Sequence, residues 1–415
     1  MKIVKKLTAI LLCATLIALT LVGCHGKDAK VATYTVDKKT YSVPSGVYLV
    51  ALILADSDTR NIITERVSKA GGKLDDIDFE KQTITNDDKK EVKFYDYVLD
   101  KAKKTCREYI YIDYYFNKYG LKLTDSDKSS MNYYIDYQWN YAGYSYLCDK
   151  NGASHDSFSQ FMKVYAYERD KLFSYLYDNG GKYEPDADEI TKTFTDNFAV
   201  ADTIQISTVA DDGTTALSND EITAIQNKLQ GYADRINNGK ATFAQIKAEY
   251  DAQNAADSGS DATSSAAASS SAASSGSDSS DAASSEENEK PIDENATVYG
   301  SSDTSVSNDL YTDIIDCEYG KATVVDLDTS KVLVLRSDIT ADPYYLKKYR
   351  SESIRLLKSD DYTDYLEKQS KKLDIKFDSY EINYLKPKKL DYTDYTNWYN
   401  QTNSNAAAGT ASIAG

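Results

Sequence analysis

The chain has 415 residues, enough for two or three domains, and carries 48 Lys+Arg against 65 Asp+Glu, a formal net charge of −17. No basic stretch offers the electrostatic footprint that a nucleic acid requires, which excludes that partner class. None of the five cysteines stands in a C-x-x-C pair and no His/Cys spacing suits a metal ion, so neither metal nor cofactor is expected.

Lys2, Lys5 and Lys6 precede an uncharged apolar stretch from Leu7 to Leu21, the pattern of an export signal and too short for a permanent bilayer span. The stretch closes on Leu21-Val22-Gly23-Cys24, which is similar to the lipobox of bacterial lipoproteins. Residues 1–23 read as a signal peptide, Cys24 as the lipidated residue and 24–30 as a tether. The expected location is extracytoplasmic, anchored to the bacterial cell membrane through the lipid on Cys24. Cys106, Cys148 and Cys317 remain as small apolar side chains, with a Cys106–Cys148 bridge left open.

Val31 to Val36 and Thr40 to Val43 read as two short strands, and Pro44-Ser45 opens a helix reaching Ala55. Residues 56–90 are polar and give no clear element. Tyr95, Leu99, Ala102, Cys106 and Ile110 recur at helical spacing up to a stop at Gly120. Thr124, with Asp127 three residues on, caps a second helix carrying Met131, Tyr134, Tyr137 or Gln138, Tyr141 and Tyr144. A third runs from Ser157 to Leu176 with Phe158, Phe161, Val164, Tyr165, Glu168 and Leu172 on one stripe. Pro185-Asp186 starts a helix over Ile190 to Phe198.

Beyond Val200 the pattern changes. Ala201 to Val209 alternates as a strand, Asp220 to Asn238 is helical, and a short helix ends near Tyr250. From Ala255 to Ser285 only Ala, Ser, Asp, Gly and one Thr occur, a composition that cannot bury a core. Leu310 to Ile315 reads as a helix, Thr323 to Leu327 and Val332 to Leu335 as a strand pair. Tyr344 to Leu373 reads as a helix broken at Ser359-Asp360, and Ile375 to Tyr384 as a strand.

Three stretches carry a family resemblance. Tyr119-Gly120-Leu121-Lys122-Leu123-Thr124-Asp125, the run from Phe158-Ser159-Gln160-Phe161 into Pro185-Asp186-Ala187-Asp188-Glu189-Ile190, and Ala201-Asp202-Thr203-Ile204-Gln205-Ile206 with Gly239-Lys240-Ala241-Thr242-Phe243 are in the order found in the extracytoplasmic foldases of the PrsA and SurA type. The resemblance implies an α+β fold. Residues 31–198 and a C-terminal segment, 341–390, would form a mainly helical chaperone domain. A parvulin-like α/β domain at 199–340 would be inserted between them, interrupted by a disordered 251–291 segment, and 391–415 would be a disordered tail.

It also implies peptidyl-prolyl isomerase activity, but the family's site histidines are missing. Thr203 stands where the first belongs and Lys331-Val332 where the second does; the chain's two histidines, His25 and His155, lie elsewhere. Thr203 and Val332 are therefore positions of a degenerate site. The expected function is a membrane-anchored chaperone that binds unfolded or newly secreted polypeptides without catalysis. An active prolyl isomerase, using Asp202 or Cys317, and a non-catalytic envelope scaffold are the alternatives. Tyr134, Tyr137, Tyr141 and Tyr144 either form a core stripe or, with Tyr133 and Trp139, line a peptide-binding groove, because tyrosine combines a broad apolar face with a wettable tip.

Overall fold

The computed structural model describes residues 29–74, 77–178, 180–210, 215–258, 291, 293, 296–301 and 308–392. The export signal, Cys24, the tether up to residue 28, residues 259–290 of the Ala/Ser/Asp stretch and the tail beyond 392 lie outside them. The architecture is α+β and mostly helical. Two compact units divide the chain: Met1–Leu176 with Asp360–Gly415, and Tyr177–Ser359.

In the first unit β1 (Lys30–Val36) and β2 (Lys39–Pro44) pair antiparallel. Asp37 and Lys38, both at positive φ, make the two-residue turn whose twist suits a hairpin. Helix α1 (Ser45–Lys69) runs well past the predicted end at Ala55. Thr59 and Ile63 continue its buried stripe, Arg60 pairs with the buried Asp56, and Glu65 pairs with Lys69 on the exposed face. The stretch that read as irregular also holds a small hairpin, β3 (Thr83–Thr85) with β4 (Glu91–Lys93).

Helix α2 (Phe94–Lys118) buries Ala102, Cys106 and Ile110 as the spacing predicts, and the chain reverses at Gly120, whose φ of 68° favours glycine. Helix α3 (Asp125–Tyr141) begins on a capping box: the Asp127 N–H donates to Thr124 Oγ1 and the Thr124 N–H to the Asp127 carboxylate. It stops before Gly143, at φ 83°, so α4 (Tyr144–Asn151) is a separate helix rather than the continuation the tyrosine spacing suggested. Helix α5 (His155–Met162), a π-helical turn (Lys163–Glu168) and α6 (Arg169–Tyr177) follow without interruption.

The second unit opens with α7 (Ala187–Asn197), where Asp186 and Glu189 form a capping box; these acids serve the helix N-terminus. Strand β5 (Phe198–Ser207), helices α8 (Asn219–Asn237) and α9 (Phe243–Ser258), strand β6 (Thr297–Gly300), helix α10 (Asn308–Asp316) and strands β7 (Ala322–Leu327) and β8 (Ser330–Ser337) follow. They build an antiparallel sheet in the order β6-β5-β8-β7. Ala199, Ala201, Val332 and Val334 pack with Leu310 and Ile314 of α10. Ile204 and Leu333 pack with Leu229 of α8 and with Phe243 and Ile246 of α9. Helix α9 outlasts its predicted end near Tyr250 because Ala252 and Ala255 are strong helix formers.

Helix α11 (Pro343–Ser370) is unbroken at Ser359-Asp360, where the Ser359 hydroxyl donates to the Arg355 carbonyl one turn back within the helix. Residues 375–384, which alternate like a strand, give only β9 (Lys376–Phe377), paired with β1. Asp378 then accepts from the Tyr380 and Glu381 N–H groups and starts α12 (Ser379–Tyr384). Cys106, Cys148 and Cys317 are free and buried, so the Cys106–Cys148 bridge left open by the sequence is not formed.

Candidate functional site

Helix α3 commits only one side chain, Ile135, to the core. Met131, Gln138 and Trp139 are half-buried beside it. The inward stripe thus runs through 131, 135 and 138/139, out of phase with the tyrosines. Tyr133, Tyr134, Tyr137 and Tyr141 point to solvent, Tyr133 with 75% and Tyr141 with 67% of its surface exposed. Tyr133, Tyr137 and Tyr141 recur every four residues and share one face, and the Tyr137 and Tyr141 rings lie 5.5 Å apart. The core-stripe reading of these tyrosines is overturned.

Trp139 and Tyr144 belong to a different group. Both pack on the buried ring of Phe158, at 5.6 and 5.3 Å, and Trp139 also meets the His155 ring edge-on at 5.0 Å. His155 Nε2 lies 3.4 Å from the Asp136 carboxylate. Four of the six aromatic candidates therefore form a solvent face, and the other two form its support.

Helix α2 and the π turn enclose acidic groups, of which only Glu168, on an apolar stripe, is visible from the spacing. The π turn sends Tyr165 and Glu168 toward α2. The Tyr165 hydroxyl donates to Glu108 Oε2 at 2.9 Å. Glu168 Oε1 lies 3.4 Å from Lys163 Nζ, and Glu168 Oε2 and Glu108 Oε1 are buried without a hydrogen-bond partner. Burial raises Glu108, Asp113 and Glu168 above the usual carboxylate range, Glu168 to about 7.

In the second unit Thr203 and Val332 lie on the paired strands β5 and β8. The Thr203 hydroxyl hydrogen-bonds the Tyr299 hydroxyl at 2.8 Å, and Val332 is fully buried in the cluster against α10. Asp202, on the opposite side of β5, is buried; that burial, the charge of Asp293 and a hydrogen bond between the two carboxyls push it up to about 6. Cys317 Sγ donates to the Asp313 carbonyl at 3.2 Å. Among the described residues no group of three or more His, Cys, Asp or Glu side chains is placed to hold a metal ion, and no helix is long and apolar enough to cross a membrane.

No family model matches the chain, and no curated protein matches it. Among solved structures the chain is similar to the foldase protein PrsA from Lactococcus lactis, at 16% identity over 68% of this chain and 87% of that one, with a TM-score of 0.31. It is also similar to the foldase protein PrsA from Streptococcus pneumoniae, at 9% identity over 77% of this chain and 100% of that one, with a TM-score of 0.30.

Proposed function

We propose that this chain is a lipid-anchored, extracytoplasmic holder of unfolded polypeptides, and that the tyrosine face of α3 is its contact surface. The observation that carries the reading is the division of labour on α3: Ile135 alone is buried, while four tyrosines face solvent. Rings of this kind accept apolar and aromatic client side chains while their hydroxyls stay wet, so contact tolerates many sequences.

Each ring contact contributes about 0.5–1.5 kcal/mol beyond the area it covers. Four such contacts, set against the ordering cost of a flexible client, give weak and rapidly reversible binding. A holder needs that balance, because a client must leave in order to fold. The acidic chain, at −17, favours basic client segments and resists self-association.

The second unit is read as non-catalytic. A prolyl isomerase must stabilise a twisted imide against a rotational barrier of about 18–20 kcal/mol, which takes a preorganised pocket. Val332 is sealed in the core, the Thr203 hydroxyl is engaged by Tyr299, and the unit contains no histidine.

The test is light scattering from an aggregating unfolded client, with the chain from His25 onward added. Suppression near stoichiometric ratios that is lost in a Tyr133→Ser/Tyr137→Ser/Tyr141→Ser variant supports the reading. Absence of suppression across several basic and neutral clients, or full suppression by the variant, contradicts it.

A further inference from the structure

Beside the start of β1 lies a lysine-rich segment of an otherwise acidic chain. Strand β1 starts at Lys30, six residues after Cys24, a distance of about 20 Å at full extension. The C-terminal segment of the same unit is attached to this part of β1. Ala32 pairs with Phe377, Thr33 pairs with Lys376, and the Asp378 N–H donates to the Val31 carbonyl at 2.9 Å.

That segment, residues 371–389, contains six lysines against Asp374, Asp378 and Glu381; Lys371 pairs with Glu367 and Lys376 with Asp374, which leaves the positive excess at Lys386–Lys389. Lys386, Lys388 and Lys389 lie in one exposed run around Pro387. Lys388 Nζ is 3.3 Å from Glu80, both exposed, and Lys389 Nζ donates to the Tyr384 carbonyl at 2.8 Å while standing 4.5 Å from the centre of that ring. Tyr380 and Tyr384, four residues apart on α12, are 61% and 43% exposed. Exposed tyrosines beside clustered lysines combine the two features that suit the headgroup level of a bilayer, amphipathic rings and attraction to anionic lipid.

We propose that Tyr380, Tyr384 and the Lys386–Lys389 run dock this unit on the anionic surface of the membrane that holds the lipid. The proposal rests on the lipid-anchor reading for its geometry: a short tether confines the start of β1 near the bilayer, and the patch is joined to β1. The positive cluster in a chain of charge −17 identifies the occupant as anionic lipid. Docking adds a second, reversible attachment to the one made by acyl chains, and it fixes which side of the unit faces the membrane.

The test uses the chain from His25 onward, which keeps every described residue and lacks the lipid. It is floated with vesicles of 30 mol% phosphatidylglycerol in phosphatidylcholine and with pure phosphatidylcholine vesicles. Expected is binding to the anionic vesicles only, weakened about tenfold or more by Lys386→Glu/Lys389→Glu, reduced by Tyr380→Ser, lowered by added salt and unaffected by Lys240→Glu on the other unit. Unchanged circular dichroism shows that the variants fold. Equal binding by wild type and the double variant, no preference for the anionic vesicles, or binding to a soluble polyphosphate without vesicle binding overturns the proposal.

Mass spectrometry of the membrane-extracted protein separates the two readings. An unacylated Cys24 with retained vesicle binding refutes the lipid anchor and leaves the docking surface standing. An acylated Cys24 without vesicle binding refutes the docking surface alone.

Discussion

Lys163 Nζ stands 3.4 Å from Glu168 Oε1, while Glu168 Oε2, turned toward α2, is buried with no donor to meet it. The two residues open and close the π turn, whose altered register sends Glu168 into the core instead of along the surface. Half-exposed Lys163 supplies only partial compensation, and Asp113 across the interface adds a like charge.

The pH dependence follows from the sign of that shift. Glu168 is raised from 4.5 to about 7, so the folded state favours its neutral form. The stabilisation is complete below about pH 4.5 and is lost as pH rises through 7. Glu168→Gln keeps the neutral form, and its stability relative to wild type should rise between pH 5 and 8 by on the order of 2–3 kcal/mol. Urea unfolding followed by tryptophan fluorescence at both pH values measures it; a pH-independent difference contradicts the burial argument.

Asp202 gives a second titration in the other unit. Burial, then Asp293, raises it to about 6, and its stabilising neutral form is lost as pH rises through that value. Asp202→Asn should therefore protect the second unit above pH 6 and have little effect at pH 4. Hydrogen exchange along β5 and β6 at the two pH values reads this directly, and equal protection at pH 7.5 in both proteins goes against it.

Helix α3 is held by few groups. Thr124→Ala removes one arm of the capping box and should cost about 1 kcal/mol. Ile135→Ala should cost about 2–4 kcal/mol, because it empties the only fully buried position of α3. Amide exchange should accelerate in residues 125–141 of both variants while α2 stays protected. A uniform loss of protection would mean that α3 is more deeply integrated than its burial indicates.

The three remaining thiols should be inert in the native protein. Burial pushes Cys106 and Cys148 up to about 12 and also raises Cys317. Ellman's reagent at pH 8 should find almost no thiol in the folded chain from His25, and three per chain in guanidinium. Fast reaction of even one thiol without denaturant would show a local opening at its site.

Much of this architecture was legible from spacing and caps. Thr124 with Asp127, and the stop at Gly120, mark their helix ends because caps are local chemistry. The orientation of α3 was not legible: tyrosines at 134, 137, 141 and 144 match a helical stripe as well as Met131, Ile135 and Trp139 do, and only the tertiary packing that buries Ile135 decides between them. Residues 375–384 alternate like a strand, yet only Lys376–Phe377 pair as one before the Asp378 cap turns the rest into a helix. Glu168 was visible as an acid on an apolar stripe, but the π turn that isolates its carboxylate depends on α2 and leaves no mark in the sequence.

The measurement that bears most directly on the tyrosine face is photo-crosslinking with benzoylphenylalanine placed singly at positions 133, 137 and 141, and at Tyr319, an exposed tyrosine of the second unit. An unfolded, radiolabelled client should crosslink strongly at the three α3 positions and weakly at 319, and excess unlabelled client should abolish the signal. Equal crosslinking at all four positions, or crosslinking confined to 319, would place client contact elsewhere and contradict the account.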